Sequence, residues 1–237
     1  MAVALVQQTN GNSGSSSTTL SCTLGVAPTT GSLLIFAMAG DKDTGALTLS
    51  GFTELYSLLQ TSVSLYYWYK VSDGSETTIN PSWATASAAG NTAWYGEWND
   101  SGISGSSWVI SGQASHISDN TSVNTWDTGT TGTLTNTGYG IAVDAVDSSQ
   151  SVTSVSAWGN SYAITYSGTG LSGRGGVMVA EKAESSGGTT NSTFNYSGTA
   201  DQNSGAIGVW AKIAAATNPV GKRVHLDAAA LVRAAFW

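Results

Sequence analysis

Ser32-Leu33-Leu34-Ile35-Phe36-Ala37-Met38-Ala39-Gly40 is the run whose reading decides the fold. It is too short for a globular helix, and its apolar side chains fall at odd and even positions alike, so neither face is left for water. The run is therefore read as a central β-strand covered on both sides. Just before it, Pro28-Thr29-Thr30-Gly31 is a turn. Residues 3 to 6 and the alternating stretch Thr19 to Leu24 read as earlier strands. Downstream come Leu47 to Leu49, Gly51 to Leu55 and the long strand Val63 to Val71. Ser72-Asp73-Gly74-Ser75-Glu76 follows, and its Asp-Gly pair is a hairpin signal. Thr77 to Trp83 and Asn91 to Trp98 complete this half.

From about residue 108 a similar order returns. Tyr139 to Ala145 stands where Leu33 to Ala39 stood, and Ala157 to Tyr162 echoes Gly51 to Tyr56. Gly175 to Ala183 matches Tyr66 to Val71, each with a lysine near its end, and Ala206 to Ile213 matches Thr92 to Trp98. The offset stays at roughly 105 to 115 residues, which reads as a diverged duplication of a four- or five-strand unit. The expected fold is all-β: a jelly-roll-like antiparallel β-sandwich over residues 1–217, with pseudo-repeats about 1–107 and 108–217. One sandwich of about ten strands is favoured over two tandem domains.

The last stretch, Asn218 to Trp237, differs in kind. It is Ala-rich and carries Lys222, Arg223 and Arg233 against a single acid, Asp227. That leaves five bases and fourteen acids for the body, so the charges are minus nine and plus two, summing to the chain's minus seven. Such asymmetry marks a partner-binding end. If Leu226 to Phe236 is helical it is too short to stand alone in water and orders only against a partner. Residues 218–237 are thus expected to be a C-terminal docking arm or short helix. Leu226, Leu231, Phe236 and Trp237 would be its anchors, with Lys222, Arg223 and Arg233 facing acidic surface.

Only 10% of the residues are charged, against about 25% in an ordinary domain. The surface must be Ser, Thr, Asn and Gly. The acidic balance argues against nucleic acid as a partner, no stretch has the ~20 apolar residues of a membrane helix, and the N-terminus does not read as a signal peptide. Cys22 stands alone and reads as a buried thiol. Asp41-Lys42-Asp43-Thr44-Gly45 touches a calcium-loop pattern but lacks its closing Glu, and reads as a turn.

No catalytic constellation emerges. His116 and His225 have no nucleophile elbow nearby, and two His with one Cys show no zinc spacing. Glu97, Asp144 and Glu181 lie inside strands, where they would point to solvent or pair with Lys70, Lys182 and Lys212. A glycosidase using Glu97 or Glu181 is the enzymatic alternative. Trp68, Trp94, Trp98 and Trp210 read as core. Trp83, Trp108, Trp126 and Trp158 lie near turns, and Trp126 and Trp158 are the candidate sugar platform.

Gly51-Phe52-Thr53-Glu54-Leu55, then Leu65 to Val71 with Ser72-Asp73-Gly74-Ser75-Glu76, then an aromatic strand ending at Trp98-Asn99-Asp100, resembles a β-sandwich unit of tailed-bacteriophage virion proteins, the minor tail and capsid-surface decoration type. The match is best over residues 30 to 100. The resemblance implies a virion structural protein with no catalytic residues and no cofactor. Its expected place is the tail, with the capsid surface as the alternative, and its expected partners are other virion proteins and further copies of itself. A carbohydrate-binding host-attachment module, with a host surface glycan as partner, is the competing reading.

Overall fold

The computed structural model describes residues 3–41, 45–86, 90–100, 107–118, 123–147, 154–168, 176–200 and 202–214. The arm at 218–237 and the turn residues 42–44 lie outside them. The described chain is strand and turn throughout. The first half holds β1 (Val3–Asn12), β2 (Cys22–Thr23), β3 (Leu33–Asp41), β4 (Leu47–Thr48) and β5 (Thr53–Leu59). It continues with β6 (Val63–Val71), β7 (Thr78–Ile79), β8 (Ser82–Trp83) and β9 (Thr92–Asp100). The second half holds β10 (Ser107–Ser118), β11 (Val123–Asp127), β12 (Gly138–Val146) and β13 (Ser154–Trp158). It ends with β14 (Ala163–Ser167), β15 (Gly176–Glu184), β16 (Thr193–Ala200) and β17 (Asn203–Ile213).

Each half builds one antiparallel five-stranded sheet, in the order β1-β9-β3-β6-β5 and β10-β17-β12-β15-β14. The order repeats strand for strand, and so does the register. Ile35 lies opposite Gly96 and Tyr69, and Ile141 lies opposite Gly208 and Glu181. Leu5 faces Trp98 just before a bulge in β1, as Ile110 faces Trp210 just before a bulge in β10. A second bulge recurs between Glu54 and Tyr56 and between Ile164 and Tyr166. The counterpart of Gly51 to Tyr56 is therefore Ser161 to Tyr166 and not Ala157 to Tyr162 as the sequence suggested, since Ser154–Trp158 belongs to the outer sheet. A bulge re-aims the strand and sharpens its twist, so both sheets are bent at matching places. Gly96 and Gly208 are needed for close packing: a Cβ on Gly96 would run into the Trp94 ring, and one on Gly208 would lie 2.9 Å from the Trp210 indole nitrogen.

The two sheets stack face to face. Leu33, Ile35, Ala37 and Ala39 of β3 enter the shared core with Ile141, Val143 and Ala145 of β12. The alternate residues Leu34, Phe36 and Met38 face the other way, under the ribbons β2–β7 and β4–β8. The run from Leu33 to Ala39 is fully buried on both faces, which is why its sequence shows no period. On the far side, Ala142, Met178, Ala180 and Ile207 lie under the sheet β11-β16-β13. Four β layers result, with the two large sheets innermost.

The halves mate as an isologous pair would, residue i meeting j and j meeting i. Trp98 Nε1 donates to Glu181 Oε2 at 2.7 Å, while Trp210 packs on Tyr69 with ring centroids 4.5 Å apart. Trp98 corresponds to Trp210 in register, and Tyr69 to Glu181. Tyr67 is fully buried in the shared core, its hydroxyl donating to the Ile141 carbonyl of the facing sheet at 3.0 Å.

The Asp73-Gly74 turn does not make a hairpin. The strand after it, β7, pairs with β2 in the outer layer and not with β6. Ser72 is tied to Ser32 and Gly31 by backbone hydrogen bonds. Asp73 Oδ1 accepts from the Ser75 amide at 3.0 Å, and Gly74 takes φ +94°. These contacts turn the chain out of the sheet.

Candidate functional site

Where the chain leaves β6 for the outer layer, a groove of about 330 Å³ opens beside Leu49, Phe52, Lys70, Glu76 and Asn80. Lys70 sits near the end of β6, and its side chain runs past Gly51, which turns the chain into β5 at φ +77°. Lys70 pairs with the Glu76 carboxylate and, at 3.2 Å, with Asp73. Glu76 also accepts from the Ser72 hydroxyl at 2.8 Å and the Asp73 amide at 3.1 Å. Burial works to raise the Glu76 carboxyl, but Lys70 and the two local donors outweigh it and hold it below its ordinary value. The Ser75 hydroxyl and then Lys70 bring Asp73 down to about 2, and Glu76 first among its partners raises Lys70.

The carboxylates that a hydrolase reading needs are apart. Glu97 is fully buried and points to the outer face of its sheet. It accepts from Gln7 Nε2 at 2.6 Å, Ser32 Oγ at 2.7 Å and the Thr29 amide at 2.8 Å. Glu181 points into the shared core beside Trp98 and Tyr139, whose phenol burial and then Glu181 push up to about 12. The β9 backbone thus separates the two acids. Solvent exposure, expected for Glu97 and Asp144, does not hold, since both are fully buried. The reason for Glu97 is that neutral donors from three separate segments solvate it in place of water. Lys70 and Lys182 do find carboxylates, but close by in sequence and not across strands: Lys70 meets Asp73 and Glu76 in the turn after β6, and Lys182 meets Glu184 at the end of its own strand at 3.2 Å. Lys212 is buried and donates to the Asp100 carbonyl at 3.0 Å and Asn99 Oδ1 at 3.2 Å.

Of the turn-region tryptophans, Trp83 and Trp108 are core, their indoles donating to the carbonyls of Ser17 and Gly31. Trp126 and Trp158 lie opposite Phe194 from either side and are half-buried against the second half's outer core. Trp158 meets the Phe194 ring at 3.9 Å, edge on. Trp126 stacks on His116 at 4.2 Å, and His116 Nδ1 lies 2.9 Å from Asp127 Oδ1. Each indole thus has part of its ring surface taken by a neighbour. Cys22 is buried, and burial pushes its thiol up to about 12. Among the described residues no three His, Cys, Asp or Glu side chains gather as a metal site, and no helix is long and apolar enough to cross a membrane. Lys222, Arg223, Leu226, Leu231, Arg233, Phe236, Trp237 and His225 all lie outside the described residues.

The groove is what sequence reasoning missed. Its walls come from residues 49–52 and 75–80, and only Phe52 hinted at it as an aromatic next to a turn. Comparison of the chain with protein-family models gives no match, and no curated protein matches it.

Proposed function

We propose that this chain is a non-enzymatic structural protein of a tailed-bacteriophage particle. Its β-sandwich body is displayed on the virion, and residues 218–237 anchor it to another structural protein or to a further copy of itself. The role that fits best is a minor tail protein, with capsid decoration differing only in where the arm docks. One observation carries the reading: the side chains able to do chemistry are used to hold the body together. Glu97 and Glu181 bond groups on opposite sides of one sheet, and Trp94, Trp98 and Trp210 fill the shared core. What remains outside is a Ser-, Thr- and Asn-rich coat suited to presentation. The chain passes out of the described body at Ala214, next to the Ser107–Ile213 pair that closes one end of its sheet.

Removing residues 218–237 should leave a body with unchanged strand content and melting temperature. The same truncation should abolish incorporation into particles when it replaces the full chain during assembly. Normal incorporation of the truncated form would overturn the anchor reading.

A further inference from the structure

We infer that the groove beside Phe52 and Asn80 is a binding site for one neutral saccharide ring. This goes beyond the display reading and stands whether or not the arm docks. The argument begins with the repeat. Thr53 and Ala163 hold corresponding register positions, opposite Tyr69 and Glu181, so Phe52 corresponds to Tyr162. In the second half Tyr162 is buried, and its hydroxyl donates to Glu184 Oε1 at 2.9 Å with Thr190 at 3.4 Å. Lys182 lies over that ring, 5.5 Å from its centroid. The corner is closed.

In the first half the corresponding ring has no hydroxyl and stays half-buried, edge-on to Tyr95 at 6.1 Å. Lys70 bonds Asp73 and Glu76 beyond it. The space so opened, about 330 Å³, is at the small end of the range for ligand pockets and fits one small molecule. Leu49 and Ile79 are buried and give the groove an apolar floor. Ser50 and Asn80 are exposed at its rim, and neither side chain bonds another described residue. Apolar floor plus uncommitted hydroxyl and amide is the complement of a pyranose, which offers a C–H face and a ring of hydroxyls. Charge selects further: one lysine against Glu76 and Asp73 leaves the corner one formal charge negative, so an anionic ligand is repelled.

Titration calorimetry of the full chain with glucose, galactose, mannose and N-acetylglucosamine in turn tests this. At least one sugar should bind saturably, one per chain. Asn80→Trp, at an exposed position, should fill the groove and weaken that binding at least about tenfold with no change in melting temperature. Trp126→Ala should bind as the parent does. Silence with all four sugars, full binding by Asn80→Trp, or loss of binding in Trp126→Ala would each overturn the inference. The assay uses the free chain, so its failure is separate from any failure of particle incorporation.

Discussion

Trp94 and Tyr67 enter the shared core from the first half, where Ala206 and Val179 hold the corresponding places in the second. At the end of the sandwich the trade reverses. Val3 of the first half corresponds to Trp108 of the second, opposite Asp100 and Lys212 respectively. Trp108 fills its corner, whereas a cavity of about 90 Å³ remains by Val3, Gly138 and Tyr139. Strand order, register and bulges are held in common, and side-chain volume is not. A core resists gain or loss of even one methylene, so bulk contributed by one half has to meet small side chains in the other. The same comparison separates the outer corners: the second half closes with Tyr162, and the first leaves a groove.

The largest effects should come from the pair held in common. Trp98→Ala and Trp210→Ala should each lower unfolding free energy by about 3–5 kcal/mol, read by urea denaturation. Trp98→Ala should cost more, because Glu181 loses its indole donor. If either costs less than about 1 kcal/mol, the two rings are not energetic equivalents. Glu97 sharpens the contrast, since its counterpart in register is Val209. Glu97→Val, which makes the first half resemble the second, should still destabilise by about 2–3 kcal/mol. Ser32, Gln7 and the Thr29 amide would keep their donors and lose the acceptor. A neutral outcome in thermal melts would mean those donors find other partners. The smallest effect is at the outer corner. Tyr162→Phe should cost about 1 kcal/mol by removing the hydroxyl from Glu184 and Thr190, while Phe52→Tyr stays within about 0.5 kcal/mol.

The central strand was legible because burial on both faces leaves an unbroken apolar run, and the repeat because β3, β6 and β9 have counterparts with similar apolar spacing. Thr77 to Trp83 read as one strand and is two short ones, each paired elsewhere. The polar strands β11 and β16 had no such run; Thr193-Phe194-Asn195 shows a single core residue between two polar ones. Glu97 read as a surface acid because its donors lie 65 to 90 residues away, beyond any local pattern. Trp83 and Trp108 sit near turns in the sequence, yet both are core, because the carbonyls that take their indole donors, Ser17 and Gly31, lie 66 and 77 residues away. The groove depends on which way Lys70 leans, a tertiary fact with no local signal.

The large-for-small exchange across the mating face has a consequence for assembly. Two copies of the first half brought together through this face would crowd Trp94 and Tyr67 twice over, and two copies of the second would leave gaps beside Ala206 and Val179. Self-pairing is penalised in both directions, whereas the unlike pair fits. Fragments severed between Asp100 and Ser107 would therefore reassociate as heterodimers in preference to either homodimer.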